Sequence, residues 1–582
     1  MIRRKSMKEL MLGNKAVARG LYEEGVEFVS SYPGTPSTEI TEEFVKFDDV
    51  YAEWAPNEKV AMESAFGASL AGRRSFCAQK HVGLNVAADP LYTMSYTGVN
   101  AGMVIVVADD AGMHSSQNEQ DSRRHAIAAK VPMLEPADSA EALEFTKLAY
   151  EISEKFDTPV LVKMCTRVAH SQSIVETGER KEFKKDYEKN IGKYVMMPGN
   201  AKKRHPIVEE RTRKLAEYAE TSPLNREESG GTWLGIITAS TSYQYVKEVF
   251  GDSVSVLKLG MTNPLPENLI KNFAKKVERL VVVEELDPVI EEAVRAMGIK
   301  VEGRNLLPGI DEFSQNKIRK AFGKNFGVGE SLEDAIPPRP PVMCAGCPHR
   351  GLFYTLKKLN CTVLGDIGCY TLGAVPPLAA MDMTLCMGAS IGALHGFTKV
   401  NNEAAKNTVA VIGDSTFVHS GMTGLANVAY NQSKGTIIIL DNSITGMTGH
   451  QQNPATGKNI KGEPAGRIDL EALCRAMGIN RVRVADPYNL KEIEAAVREE
   501  LSVDEASVII SRRPCALLKE VKHKEPLKVD KDKCIGCKSC MKIGCPAISM
   551  KDKKAVVDAN QCVGCGVCAG LCPKNAFSGV EG

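Results

Sequence analysis

Eight cysteines near the C-terminus have the spacing of iron–sulfur ligands. Cys534, Cys537, Cys540 and Cys545, followed by Pro546, form one run; Cys562, Cys565, Cys568 and Cys572, followed by Pro573, form another. The second fits the C-x2-C-x2-C-x3-C-P pattern of a [4Fe–4S] site, while the first carries four residues, Met541 to Gly544, before its last cysteine. Zinc knuckles would use paired C-x2-C units and leave the third cysteine of each triplet idle. Two clusters imply one-electron chemistry. From Pro526 onward nine lysines stand against five Asp and Glu, which offsets the charge of about −2 on each oxidised cluster with its thiolates. That basicity calls for no nucleic-acid partner.

A second chemistry sits upstream. The apolar run Val409 to Ile412 ends in Gly413-Asp414, and a second, Ile437 to Leu440, ends in Asp441-Asn442. Ligands of open parallel sheets bind beyond the carboxyl ends of strands, so Asp414 and Asn442 are placed to converge on one hard cation, magnesium, bound to phosphate oxygens. Glycines in Gly365-Asp366-Ile-Gly368-Cys369 and Met387-Gly388-Ala-Ser390-Ile-Gly392 would let backbone N–H groups approach phosphate. Either strand end alone would read as ordinary turn chemistry.

The elements that must position these groups are α/β throughout. Residues 1–175 alternate apolar runs (Val104 to Ala108, Pro159 to Met164) with helix-like segments such as Ser139 to Lys155. Residues 176–231 are charged and apolar-poor and read as a linker or surface excursion. Residues 232–335 form a small α/β domain, Pro337, Pro338, Pro340 and Pro341 mark a boundary, and 342–525 form a third α/β domain with buried strands at Thr408 to Ile412, Thr436 to Leu440 and Ala506 to Ser511. The cluster domain occupies 526–582. The chain has 582 residues, 43% hydrophobic, with net charge +1, which suits a multidomain soluble protein without a polyanion partner. Seventeen cysteines with metal spacing and no signal-peptide pattern fit a reducing cytoplasm rather than a disulfide framework. The apolar stretch Ala374 to Gly396 is broken by Pro376, Pro377, Asp382 and His395, so no membrane span is expected.

Several motifs resemble known families. The paired runs resemble two-cluster ferredoxins, which implies that Cys534, Cys537, Cys540 and Cys572 hold one cluster and Cys562, Cys565, Cys568 and Cys545 the other. The Gly-Asp…Asn arrangement resembles thiamine diphosphate enzymes, in which Asp414, Asn442 and the Ile444 carbonyl would hold magnesium on the diphosphate. Thiamine together with two clusters resembles the 2-oxoacid:ferredoxin oxidoreductases. Their reaction-site loop is similar to Tyr32-Pro33-Gly34-Thr35-Pro36-Ser37, which makes Thr35 a substrate donor and Gly34 a cofactor contact; Glu58 stands where the family's pyrimidine-activating glutamate is found, with Glu63 the runner-up. Cys344, Cys347, Cys369 and Cys515 match the ligands of a third cluster close to the thiamine. Domain order, Cys344 to Arg350 and Met447-Thr448-Gly449-His450-Gln451 resemble the α subunits of the indolepyruvate branch.

The resemblance implies oxidative decarboxylation of arylpyruvates to acyl-coenzyme A, with electrons leaving for an external ferredoxin, and a β subunit that supplies the missing γ-type domain in an αβ or (αβ)2 assembly. Asp366, Gly368, Gly388 and Gly413 would line the cofactor, and His450, His349 or Arg350 would orient substrate or shuttle protons. Where some pyruvate enzymes carry a carboxylate-binding arginine, this chain reads Ala108-Asp109-Asp110-Ala111, leaving Arg123 or Arg124 as weak substitutes. The other five cysteines, Cys77, Cys165, Cys361, Cys386 and Cys474, read as packing residues. Rival readings are a non-redox decarboxylase or synthase, another 2-oxoacid specificity, and an electron-transfer subunit with a decayed thiamine site.

Overall fold

The computed structural model describes residues 7–323, 337, 339–401, 403 and 406–579, and the chain divides into two compact units, Met1–Glu333 and Asp334–Gly582. Pro338, the end of the 232–335 segment and the last three residues lie outside the described residues.

The first unit is built on a seven-stranded sheet in the order Met261–Asn263, Met133–Leu134, Val160–Cys165, Met103–Asp109, Ser75–Lys80, Phe28–Ser31, Tyr51–Trp54. All its pairings are parallel except at the Met261–Asn263 edge. Every residue of Met103–Asp109, Val160–Cys165 and Ser75–Lys80 is buried, because helices cover both faces of the sheet. A four-stranded sheet takes Leu280–Val283, Gly235–Ala239 and Ser255–Leu259 from 232–335 and its edge strand, Arg226–Glu228, from 176–231. The two parts interlock, since Met261–Asn263, from within 232–335, pairs with Met133–Leu134.

The stretch 176–231 is more than a linker. It contains a 24-residue helix, Pro198–Thr221, whose Arg204, Val208, Arg211, Leu215 and Ala219 are buried at helical spacing. Two of those five positions are arginines, which is why the stripe reads as apolar-poor. Arg204 donates to the Tyr96 carbonyl at 2.6 Å, and Arg211 to the Asp157 carbonyl at 3.1 Å and Ser95 Oγ at 3.0 Å. Burial pulls Arg211 down to about 10.

The second unit carries a five-stranded, all-parallel sheet in the order Thr362–Leu364, Thr408–Gly413, Gly435–Asp441, Ala506–Arg512, Arg481–Ala485. Its two faces bury separate apolar layers, one around Ile412, Phe417 and Ile439, the other around Phe353, Val411 and Ile438. The three strands expected from sequence are present, each one or two residues longer. The cysteine-rich end holds two short antiparallel ribbons, Ile548–Lys551 with Lys554–Val557 and Lys528–Val529 with Phe577–Ser578. Among the described residues no helix is long and apolar enough to cross a membrane. Of the five other cysteines, Cys77, Cys165 and Cys474 are buried and Cys361 partly so, whereas Cys386 is exposed.

Candidate active site and cluster relay

Strands Thr408–Gly413 and Gly435–Asp441 run in parallel with Gly413 beside Leu440, so Asp414 and Asn442 leave adjacent strand ends. Asp414 opens a helical run that continues to Tyr430. Its Oδ1 accepts from the Ser415 N–H at 2.8 Å, and its Oδ2 is buried without a hydrogen bond. The Asn442 amide oxygen faces two other acceptors, the Ile444 carbonyl oxygen at 2.8 Å and Asp414 Oδ1 at 3.2 Å. Three oxygens in such contact repel unless a proton or a cation lies among them. Reversing the amide would supply an N–H; a magnesium ion would serve without reversal, because octahedral ligands at its short bond lengths stand ~3 Å apart. Burial, reinforced by the neighbouring Asp441 carboxylate, pushes Asp414 up to about 8, a cost that a bound cation offsets. The residues therefore fit the expected ion.

The diphosphate cradle differs from expectation at one point. Asp366 accepts from the Gly388 N–H at 2.9 Å and the Ser390 N–H at 3.0 Å, at the start of helix Ala389–Val400. The chain's own carboxylate thus caps those donors, and Asp366 and Gly388 shape the loop rather than offering N–H groups to phosphate. Gly368 abuts Tyr370, as does Gly413, where an added Cβ would meet the ring at 2.8 Å. Sequence reading missed the hydroxyl chain beside the oxygen triad: Thr445 donates to Ser415 Oγ at 3.0 Å, and Asn453 to Thr445 at 3.3 Å.

The third cysteine set borders this loop. Cys515 donates its N–H to the Asn442 carbonyl at 2.9 Å, and Cys369 Sγ lies 3.4 Å from where a Cβ on Gly446 would stand. Burial, then the charges of Cys344 and Cys369, push the Cys347 thiol up to about 12; burial, then Cys515 and Cys344, push Cys369 to about 11. Thiols raised in this way, as those of Cys347, Cys369 and Cys515 are, need positive charge to ionise, which iron would supply. His450, in the left-handed region at φ 71°, directs Nε2 to Cys515 Sγ at 3.8 Å. His349 is buried against the Tyr370 ring, and burial pushes it down to about 4.

Arg350 does not face a substrate space. Its guanidinium is buried and donates to the carbonyls of Cys344 (3.0 Å), Ile543 (3.2 Å), Gly544 (2.5 Å) and Met343. It therefore ties the Cys344–Cys347 loop to the loop that carries Cys545. On the same side an added Cβ at Gly346 would strike Val563, and the Tyr488 hydroxyl donates to the Gly346 carbonyl. The set Cys545, Cys562, Cys565 and Cys568 consequently adjoins the Cys344 loop. Cys534, Cys537, Cys540 and Cys572 together line a separate small pocket, with Cys537 exposed. Among the described residues no three His, Cys, Asp or Glu converge on a single ion; cluster corners stand further apart than the ligands of one metal.

In the first unit, the Tyr32–Ser37 loop follows strand Phe28–Ser31, with Thr35 partly exposed and Ser37 Oγ bonded to the Gly34 carbonyl at 2.9 Å. Glu58 opens helix Glu58–Leu70 behind the Asn57 cap, is 5% exposed, and packs so closely on Gly83 that a Cβ there would meet Oε1 at 2.6 Å. Glu63 is exposed and paired with Lys59, as a solvated helix face would be. Arg123 is buried and committed to Asp121, Glu284 and the carbonyls of Glu285 and Asp287; Arg124 pairs with Asp287 and Glu292 at the surface. Neither supplies a free cation. Lys80, which the sequence reading passed over, stands beside the Thr35 loop.

Three family profiles match the chain: "Pyruvate flavodoxin/ferredoxin oxidoreductase, thiamine diP-bdg" over residues 19–227, "Thiamine pyrophosphate enzyme, C-terminal TPP binding domain" over 366–511, and "4Fe-4S dicluster domain" over 526–573. Among curated relatives, the indolepyruvate oxidoreductase subunit IorA of Archaeoglobus fulgidus is 40% identical, across 98% of this chain and 97% of that protein. The subunit of the same name from Pyrococcus horikoshii is 42% identical, across 99% and 97%. The 2-oxoglutarate synthase subunit KorA of Archaeoglobus fulgidus is 26% identical over 51% of this chain and 93% of its own. A solved 2-oxoglutarate:ferredoxin oxidoreductase from Magnetococcus marinus aligns with TM-score 0.47 at 19% identity, covering 54% of this chain and 65% of that one.

Proposed function

The chain belongs to the family of indolepyruvate oxidoreductase subunit IorA, thiamine diphosphate and iron–sulfur oxidoreductases of 2-oxo acids, and on that premise we propose that it converts arylpyruvates, indolepyruvate above all, to arylacetyl-coenzyme A and carbon dioxide. The observation that carries this reading is the contact between the metal loop and the third cysteine set, the Cys515 N–H on the Asn442 carbonyl at 2.9 Å. A non-redox decarboxylase has no use for a cluster at that place.

Thiamine diphosphate supplies, when bound, an electron sink for the carbon that loses its carboxylate. Asp414, Asn442 and the Ile444 carbonyl would hold its magnesium, and the buried Glu58 would hold the proton shared with its pyrimidine. Thr35 would donate to the substrate's keto oxygen. The Cys344/Cys347/Cys369/Cys515 set would hold the cluster that takes the electrons one at a time, the adjoining Cys545/Cys562/Cys565/Cys568 set the next, and the Cys534/Cys537/Cys540/Cys572 set, with its exposed Cys537, the one that passes them to ferredoxin. The acyl group goes to the coenzyme A thiol. The division into pyrimidine-type, small α/β, diphosphate-type and ferredoxin-like parts, the β subunit, the αβ or (αβ)2 assembly and a cytoplasmic location belong to the same proposal.

The test is anaerobic. The chain, reconstituted with iron, sulfide, magnesium and thiamine diphosphate and co-expressed with its β subunit, should reduce a low-potential viologen with indolepyruvate faster than with pyruvate, and only with coenzyme A. Carbon dioxide release without dye reduction would sink the proposal in favour of a decarboxylase.

A further inference from the structure

Lys80 closes strand Ser75–Lys80 at the place where the seven-stranded sheet reverses its winding. From Phe28–Ser31 the chain first builds Tyr51–Trp54 on one side and then Ser75–Lys80 on the other. Open parallel sheets bind ligands in the crevice at the carboxyl ends of strands flanking such a switch. Those two ends carry the Tyr32–Ser37 loop and Lys80, and a Cβ on Gly34 would stand 3.2 Å from Lys80 Cβ.

The ammonium there is poorly matched by its surroundings. Lys80 is 8% exposed and donates to the Ser115 carbonyl at 2.6 Å, yet it forms no ion pair with a carboxylate among the described residues. Burial pulls its pKa down, opposed by the charge of Asp110. Asp110 is itself engaged by the Ser115 N–H at 2.9 Å, Ser116 Oγ at 2.5 Å and Thr166 Oγ1 at 2.7 Å. Asp110 thus lends Lys80 its charge from a distance but no direct contact, and a ligand carboxylate that accepts from the ammonium would supply the ion pair the buried cation lacks. In the strand register Lys80 lies beside Ala108, the first residue of the Ala108–Ala111 segment where a substrate-binding arginine was expected and is missing.

We infer that Lys80 binds the carboxylate of the 2-oxo acid, supplying from the neighbouring strand the cation that Ala108–Ala111 lacks. This inference rests on the proposed reaction.

The experiment is calorimetry on the assembled holoenzyme, with an arylacetate as anionic probe and the corresponding arylacetamide as its neutral counterpart. In Lys80→Met the acid should bind at least about tenfold more weakly and the KM for arylpyruvate should rise in proportion, with amide affinity unchanged. Lys80→Arg should recover most of the acid's affinity. Equal losses for acid and amide would reveal a role in loop structure alone and overturn the inference, as would an acid that binds Lys80→Met as it binds wild type. If the Met variant does not fold, Lys80→Gln is read by the same two probes. Wild-type enzyme that prefers acid to amide through Lys80 but turns over no 2-oxo acid would fail the proposed reaction and not the carboxylate site.

Discussion

The side-chain amide of Asn442 lies 2.8 Å from the carbonyl oxygen of Ile444 and 3.2 Å from Asp414 Oδ1, beside a buried Asp414 Oδ2 that has no hydrogen bond. A reversed amide would donate to both oxygens, and a cation bound among the three would be held by all of them without that reversal. Asp414→Ala should therefore weaken thiamine diphosphate binding by at least about 100-fold in magnesium buffer, and chelation should weaken wild type to a similar degree. Calorimetry with and without magnesium reads both. Undiminished binding by the variant would mean that the oxygen triad is not the metal site.

Cys515 lies one hydrogen bond from the same loop. If it is the fourth ligand of a proximal cluster, Cys515→Ser should lower iron from about twelve to about eight atoms per chain and leave the two tail clusters intact. Iron analysis with low-temperature EPR of the reduced protein decides this. A variant with full iron content would remove Cys515 from the ligand set.

Arg350 is a buried guanidinium whose partners are all carbonyls, with no carboxylate paired to it among the described residues. Burial pulls its pKa down, and the thiols of Cys347, Cys545, Cys344 and Cys565 supply the opposing charge. Anionic clusters held by the two cysteine sets would supply its compensation. Arg350→Met should make the two adjoining clusters harder to reduce, by about 59 mV for each tenfold change in the one-electron equilibrium, and should leave the Cys534/Cys537/Cys540/Cys572 cluster near its wild-type potential. Arg350→Lys, which keeps the charge, should shift them less. Redox titration followed by EPR separates the three; a uniform shift would point to structural damage instead.

The strands that carry Asp414 and Asn442 were legible because a parallel strand covered on both faces reads as an unbroken apolar run, and the cysteine runs because metal geometry fixes their spacing. The Pro198–Thr221 helix was hidden because Arg204 and Arg211 fill buried positions that normally identify a helix by apolar residues. Asp366 was read as part of a phosphate cradle because glycines flanked it, but hydrogen-bond partners are tertiary facts and the nearby N–H groups go to its own carboxylate. Arg350 looked like a substrate residue for the same reason: type and motif are visible in sequence, direction is not. Lys80 carried no motif, and only strand order places it beside Gly34.

Arg123 is buried among carboxylates and holds the fold rather than a substrate. Burial works to raise the Asp121 carboxyl, but the Arg123 guanidinium outweighs it and holds that group at about 2. A folded pKa below the ordinary carboxylate value near 3.9 contributes stability that is complete above about pH 4 and is lost as pH falls toward 2. Arg123→Met strands Asp121 and Glu284 in the interior and should cost about 3–5 kcal/mol at neutral pH. The gap between variant and wild type should start to narrow above pH 4, as pH falls through the raised pKa values of the stranded carboxylates, and should go on narrowing toward pH 2, because protonation relieves them. Urea unfolding of both proteins across that range measures it, and a gap that stays constant with pH would show that lost packing, rather than charge, is what the substitution removes.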